Sequence, residues 1–389
     1  MTTETRIKTL ETADDTGLRS LQISISRSKI LTPSKSLGEK FVSSKQPFSN
    51  SEIQFNEIYT SFKKESIATL LSDATKSSEK NKKMQRMVDN GCNSPSVSFI
   101  DYIEKQSDKS IIPSRSEIDV LTNFAYTFSD ITPIPAIPKV ASSLTLENAD
   151  LFIQYIQDCI ESIEVWNYKP IMGYLPIGAP PPILEKLINL YLDAGINAYY
   201  LDYNLSGLAG SSTNITVLKR VLASRGYSEN HCFYVLNMKY GKEQKEKSVL
   251  PARDFLGLGL GLDSIGNSHR TRPLPYHVAK ENTPVSKKIR VLNRSEYGYY
   301  RLDLPDLVSG MHYPIDSPIS LDQIVSTTSQ AGKERLVEQV NLHEQTAECF
   351  TLQQIISEEK SHTFDYFQSK SCLDKKDLKI LTGGRGIHR

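Results

Sequence analysis

The chain lacks the devices by which small metal or disulfide scaffolds announce themselves. Its five cysteines, Cys92, Cys159, Cys232, Cys349 and Cys372, are widely spaced and form no Cys-x-x-Cys pair. That excludes a zinc knuckle or a disulfide framework as the organising principle and fits a reducing, cytoplasmic setting. No apolar run approaches the roughly 20 residues of a membrane span, and the opening MTTETRIKTLETADD has no apolar signal-peptide core. No membrane partner is therefore expected. Formal net charge is +1 over 389 residues, so no global field draws the chain to nucleic acid, and any such surface must be a local basic patch. No glycine-rich loop follows an early strand as a dinucleotide or P-loop fold requires, so no cofactor is expected. His269 and His277 have no acidic partner at ligand spacing, and no metal is expected.

What is present is an alternation of apolar strands and amphipathic helices. KPIMGYLPI (169–177), INAYYLDYN (196–204) and CFYVLNMKY (232–240) read as strands. TLENADLFIQYIQDCIESI (145–163), PPILEKLINLYLDAG (181–195) and NITVLKRVLASRG (214–226) read as helices, the last two closed by glycine. Strands that are apolar on both faces imply a parallel sheet covered on both sides. The expected fold class is α/β, with a (β/α) TIM-type barrel favoured over an open doubly wound sheet because several strands end in similar polar residues, as barrel rims do. The barrel is expected over 118–310, after a polar extension with strand and helix character over 1–117 and before a helical segment with a basic tail over 311–389. Within the extension, 21–32 alternates as one or two short strands, 55–74 has helical spacing, and the polar run after it is a loop or an exposed helix. FLGLGLGLDSIGNSHR (255–270) reads as a buried glycine–leucine strand that turns polar at its end.

Strand parity selects the candidate residues. Tyr200, Asp202 and Asn204 share one face, and so do Asn237 and Lys239. Tyr174 lies late in its strand, and Asp263, Asn267 and His269 follow the glycine–leucine run. At a barrel mouth these groups suit a planar polar ligand, with amides and carboxylates on its edge and tyrosines on its face. Each has a structural alternative: Asp202 and Asn204 as turn caps, Asp263 as a carboxylate that accepts backbone hydrogen bonds. Lys80, Lys82, Lys83 and Arg86, with Arg385 and Arg389 in the tail, are the candidate nucleic-acid contacts, the alternative being a solvated face.

CFYVLNMKYG (232–241), PARDFLGLGLGLDSIGNSH (251–269) and RSKILTPSK (27–35) together resemble the tRNA-guanine transglycosylases, the queuine and archaeosine tRNA-ribosyltransferases. The resemblance implies a (β/α)8 barrel that exchanges a guanine base through an aspartate nucleophile, with a second aspartate as acid and base. Asp263 matches the family's aspartate three positions before the nucleophile, and the nucleophile's own position then holds Gly266. The family's cysteine-rich zinc motif and its Asp-Ser-Gly-Gly-Phe loop are absent. Asp202 and Asp263 are the carboxylates nominated for covalent attack and proton donation. The expected activity is base exchange on tRNA, DNA or a nucleoside. The alternatives are a non-catalytic barrel subunit that binds nucleic acid or a homologous or catalytic partner subunit, and an unrelated small-molecule barrel enzyme.

Overall fold

The computed structural model describes residues 5–25, 28–38, 54–91, 94–103, 112–166, 168–244, 248–270, 289–303, 309–310, 312–314 and 317–383. The strands Ile171–Pro176, Ala198–Asp202 and Cys232–Leu236 are buried at every position, which only a sheet covered on both faces allows. They pair in parallel, with Tyr174, Tyr200 and Tyr234 level with one another. Ser264–Ile265 and Ser34–Lys35 extend this sheet on one side and Thr132–Pro133 on the other, giving six parallel strands. No part of it is antiparallel. A second parallel sheet joins Leu37–Gly38, Asn56–Lys63 and Ser96–Ile103.

Each edge of the larger sheet is hydrogen-bonded to, or continuous with, an edge of the smaller. Ser34–Lys35 runs through Ser36 into Leu37–Gly38, with Ser36 N donating to Ile265 O at 3.0 Å and Leu37 N to Phe55 O at 2.8 Å. At the other edge Ala136 N donates to Ile100 O at 2.7 Å and Tyr102 N to Ala136 O at 2.8 Å. The strand order therefore runs straight across residue 118, where sequence patterning put a domain boundary. The helices Arg115–Thr127, Ala149–Glu164, Pro181–Asp193 and Ser212–Ser224 lie between these strands in sequence. Gly195 and Gly226, past the last two, take φ of 72° and 78°, a left-handed turn that side chains resist.

Two expectations are corrected. Residues 55–74 are not one helix: Asn56–Lys63 is a strand, and the helix Lys64–Ser72 begins only after it. The glycine–leucine stretch is not a strand either. Arg253–Leu256 is a helical turn, Leu258–Leu260 a 3₁₀ turn, and Gly261 turns the chain with φ of 80° into Ser264–Ile265. Leucine and glycine lack the branched bulk that favours an extended chain, and here the leucines fill the core while the glycines admit neighbours. A side chain on Gly259 would stand 2.8 Å from Leu381 and 2.9 Å from Phe367. The helices Thr363–Gln368 and Lys375–Gly383 thus come down onto this segment. The polar run after residue 73 is an exposed helix, Ala74–Asn90, anchored by buried Met84 and Met87.

An antiparallel sheet of Arg6–Thr12, Arg19–Ile25 and Ser28–Leu31 contributes Leu21, Ile23, Ile25 and Ile30 to the same core. A second one, Val249–Pro251, Arg290–Asn293 and Gly298–Arg301, packs with the helix Gln330–Glu358 around a smaller apolar cluster that includes Val249, Val291 and Val340. Among the described residues no helix is long and apolar enough to cross a membrane.

Candidate functional site

Polar side chains collect where the parallel strands end. On Asn56–Lys63, alternation turns Glu57 and Tyr59 to the same side; on Ser96–Ile103 it does so for Phe99 and Asp101. Asp202 closes its strand, and Asn237 follows Leu236 in the left-handed region at φ of 55°. The segment Gly266–Arg270 crosses these ends and ties them together. Arg270 donates to both oxygens of Asp101, from Nε at 2.8 Å and Nη2 at 2.9 Å, and from Nη1 to Asp202 Oδ2 at 2.6 Å. Burial works against that guanidinium, but Asp202 and Asp101 outweigh it and hold it charged more firmly than usual. Asp202 also accepts from Asn237 Nδ2 and Asn204 N, both at 3.0 Å, and from the Tyr174 hydroxyl at 3.2 Å. The Tyr59 hydroxyl donates to Asp101 at 2.8 Å. Beneath them the rings of Tyr174 and Tyr200 stack at 5.0 Å between centroids.

Glu57 is the second centre. Its fully buried carboxylate accepts from Ser36, Tyr234, the Asn267 amide and side chain, and His269 Nε2 at 2.6 Å. Burial alone would raise its pKa; His269, Lys35 and Tyr234 reverse that and bring it down to about 2. The His269 ring lies flat on Tyr59, 4.2 Å between centroids. Since Glu57 is ionised, the His269 Nε2 facing it must carry a proton. A folded-state pKa below the unfolded 4.5 contributes stability that is present above pH 4.5 and lost as pH falls through about 2. The difference is worth roughly 3 kcal/mol. Wild type should therefore lose about that much more stability than Glu57→Gln across this window, as measured by urea unfolding at several pH values.

The structure brings together seven of the residues selected from sequence: Asp202, Tyr174, Tyr200, Asn204, Asn237, Asn267 and His269. Lys239 is exposed beside them, its backbone N–H donating to Ser206 O. Asp263 is a correction. Its strand begins at Ser264 instead of ending there, so the carboxylate sits at the opposite end from Asp202, not at the strand-end mouth. It is fully buried, paired at 2.8 and 2.7 Å with Arg19 Nε and Nη2, and accepts from Phe233 N at 2.7 Å. Lys82, Lys83 and Arg86 are exposed on the helix Ala74–Asn90, while Lys80 turns back to the Thr60 hydroxyl at 2.6 Å and the Phe62 ring. Arg385 and Arg389 lie outside the described residues. Among the described residues no group of three or more His, Cys, Asp or Glu is placed to hold a metal.

Four residues of the site escaped the sequence reading: Glu57, Tyr59, Asp101 and Arg270. The period-two pattern of NEIYTSFK and SVSFIDYI carries the first three. Arg270 left no local signal, because its partners stand 68 and 169 positions away. Gly266 meets Glu57: a side chain at 266 would run into Glu57 Oε2. A carboxylate from another strand thus fills the space beside the glycine. No protein-family model matches the chain, and no curated protein sequence matches it significantly.

Proposed function

We propose that the parallel strands close into an eight-stranded (β/α) barrel whose mouth seats the nitrogen-rich edge of a nucleobase, for exchange of that base on tRNA, DNA or a nucleoside. The barrel is supported by the parallel order of the strands and by the bonds linking both edges of the two sheets. The base seat rests on one observation: Asp101 grips the Arg270 guanidinium through two parallel N–H donors while Asp202 takes a third. The N–C–N edge of guanine presents the same pair of parallel donors. A carboxylate that accepts one accepts the other. The resemblance to the transglycosylases points the same way.

In this reading Arg270 withdraws when the base enters. One mouth carboxylate, Asp202, forms a bond to the anomeric carbon as the base–sugar bond breaks; the bonding pair goes to the departing ring nitrogen, which takes a proton from water, while Asp101 holds the N–C–N edge. The incoming base reverses both steps. A second reading, a subunit that binds without exchange, is favoured by Gly266 at the family's nucleophile position. Radiolabelled guanine incubated with the protein and with tRNA, DNA or guanosine separates them. Base exchange predicts incorporation that falls at least about 100-fold in Asp202→Asn. Binding of guanine without incorporation supports the second reading, and absence of both overturns the base seat.

A further inference from the structure

Beside the mouth lies a chamber of about 360 Å³ between the strand ends and the helix Gln330–Glu358, lined by Lys35, Asp254, His269, Tyr59, Met238 and Gln345 among others. Its volume is that of a small-molecule site. We propose that this chamber is an imine-forming site, in which the Lys35 amine condenses reversibly with the carbonyl group of a small aldehyde or ketone. The inference is independent of the base seat, since it uses neither Asp101 nor Asp202.

The geometry around Lys35 carries it. Lys35 is 3% exposed, and its Nζ donates to Asn267 Oδ1 at 2.6 Å and to Gly266 O at 3.1 Å. Those are two acceptors among the described residues. An ammonium carries three N–H bonds; on giving up one it is a neutral amine with two N–H bonds and a lone pair. With both hydrogens engaged, the lone pair takes the remaining direction. Burial lowers the pKa of this amine, against the opposing pull of Glu57 and Asp254, which favours the form that can attack.

Asp254 supplies the acid. Its Oδ2 accepts from the Tyr299 hydroxyl at 2.8 Å, but Oδ1 is buried with no hydrogen-bond partner among the described residues. A buried orphan oxygen is costly in a folded protein and marks a place made for another group. Burial pushes its carboxyl up to about 6, so a proton is available to it near neutrality. His269, fixed by Glu57 and Tyr59, borders the chamber.

The step balances without any co-reactant. The Lys35 nitrogen bonds to the carbonyl carbon while the carbonyl π pair moves to oxygen. A proton passes from nitrogen to that oxygen, giving a carbinolamine. Asp254 protonates the hydroxyl, water leaves, the nitrogen lone pair closes the C=N bond, and the iminium N–H returns its proton to Asp254. Amine and carbonyl become imine and water; hydrolysis is the reverse.

The test is trapping of the full-length protein with pyruvate or acetaldehyde and sodium cyanoborohydride at pH 7, followed by peptide mass mapping. The adduct is expected on Lys35, at a rate at least about tenfold above that of exposed lysines, whose ordinary pKa near 10.4 leaves them charged. Asp254→Asn, which keeps the side chain's shape and its bond to Tyr299, should slow labelling of Lys35 about tenfold and leave surface labelling unchanged. Should that variant fail to fold, the wild-type pH dependence decides. Labelling of Lys35 should rise less steeply with pH than that of exposed lysines, which rise about tenfold per unit. Adducts confined to exposed lysines, or Lys35 labelled at their rate and with their pH dependence, would overturn the proposal.

Discussion

Asp263→Ala is expected to cost about 3–5 kcal/mol of folding stability, because it strands the Arg19 guanidinium in the interior. Arg19 is 7% exposed and Asp263 not at all, and their two-pronged pair is the only carboxylate contact recorded for that arginine among the described residues. The remaining donors of Arg19 go to the carbonyls of Ser228 and His231 at 3.2 and 3.1 Å, which secure its position but not its charge. The Phe233 amide loses its acceptor as well. Urea denaturation measures the loss. Replacing both partners by apolar residues of similar size, Arg19→Met with Asp263→Leu, should recover much of it, since a buried ion pair stabilises little against a well-packed apolar pair. Guanine binding per folded molecule should be unchanged in the single variant. A loss below about 1 kcal/mol would mean that the pair is not the anchor between the first antiparallel sheet and the strand Cys232–Leu236.

Arg270→Ala is expected to destabilise by about 3 kcal/mol, by leaving Asp101 and Asp202 facing one another without their shared cation. Arg270 is 12% exposed, and the two carboxylates are 6% and 2% exposed, so water screens little of the repulsion. The substitution also empties a seat of defined shape. Guanidinium at low millimolar concentration, far below its denaturing range, should restore much of the lost melting temperature, because a ligand that binds only the folded state stabilises it by mass action. Sodium at the same concentration should not. Wild type, whose seat is filled by its own side chain, should show no such gain.

The central strands and helices were legible because proline and glycine bracket them and their apolar periods are clean, as in PPILEKLINLYLDAG. The tyrosines and Asp202 followed from parity in a strand whose direction was known. Asp263 shows how much hangs on a boundary. A strand expected to finish at residue 262 begins instead at Ser264, and that shift carries the carboxylate from one end of the sheet to the other. Glu57 was hidden for a different reason. NEIYTSFK runs directly into the helix Lys64–Ser72, and Ile58, Phe62 and Ile67 mimic one helical stripe across the junction. Helix and strand periods coincide over so few residues. The cation that joins the two carboxylates of the mouth comes from a segment far away in sequence, and no local pattern could have placed it.

The claim that the mouth is built for an N–C–N edge is tested most directly by calorimetric titration of Arg270→Ala with guanine and with adenine. Adenine is of similar size but lacks the pair of parallel donors that Asp101 accepts. The account predicts that guanine binds at least about tenfold more tightly than adenine, the worth of one hydrogen bond to a charged group, and that adding Asp101→Asn abolishes the preference. Equal affinity for the two bases, or no binding of either, would contradict it.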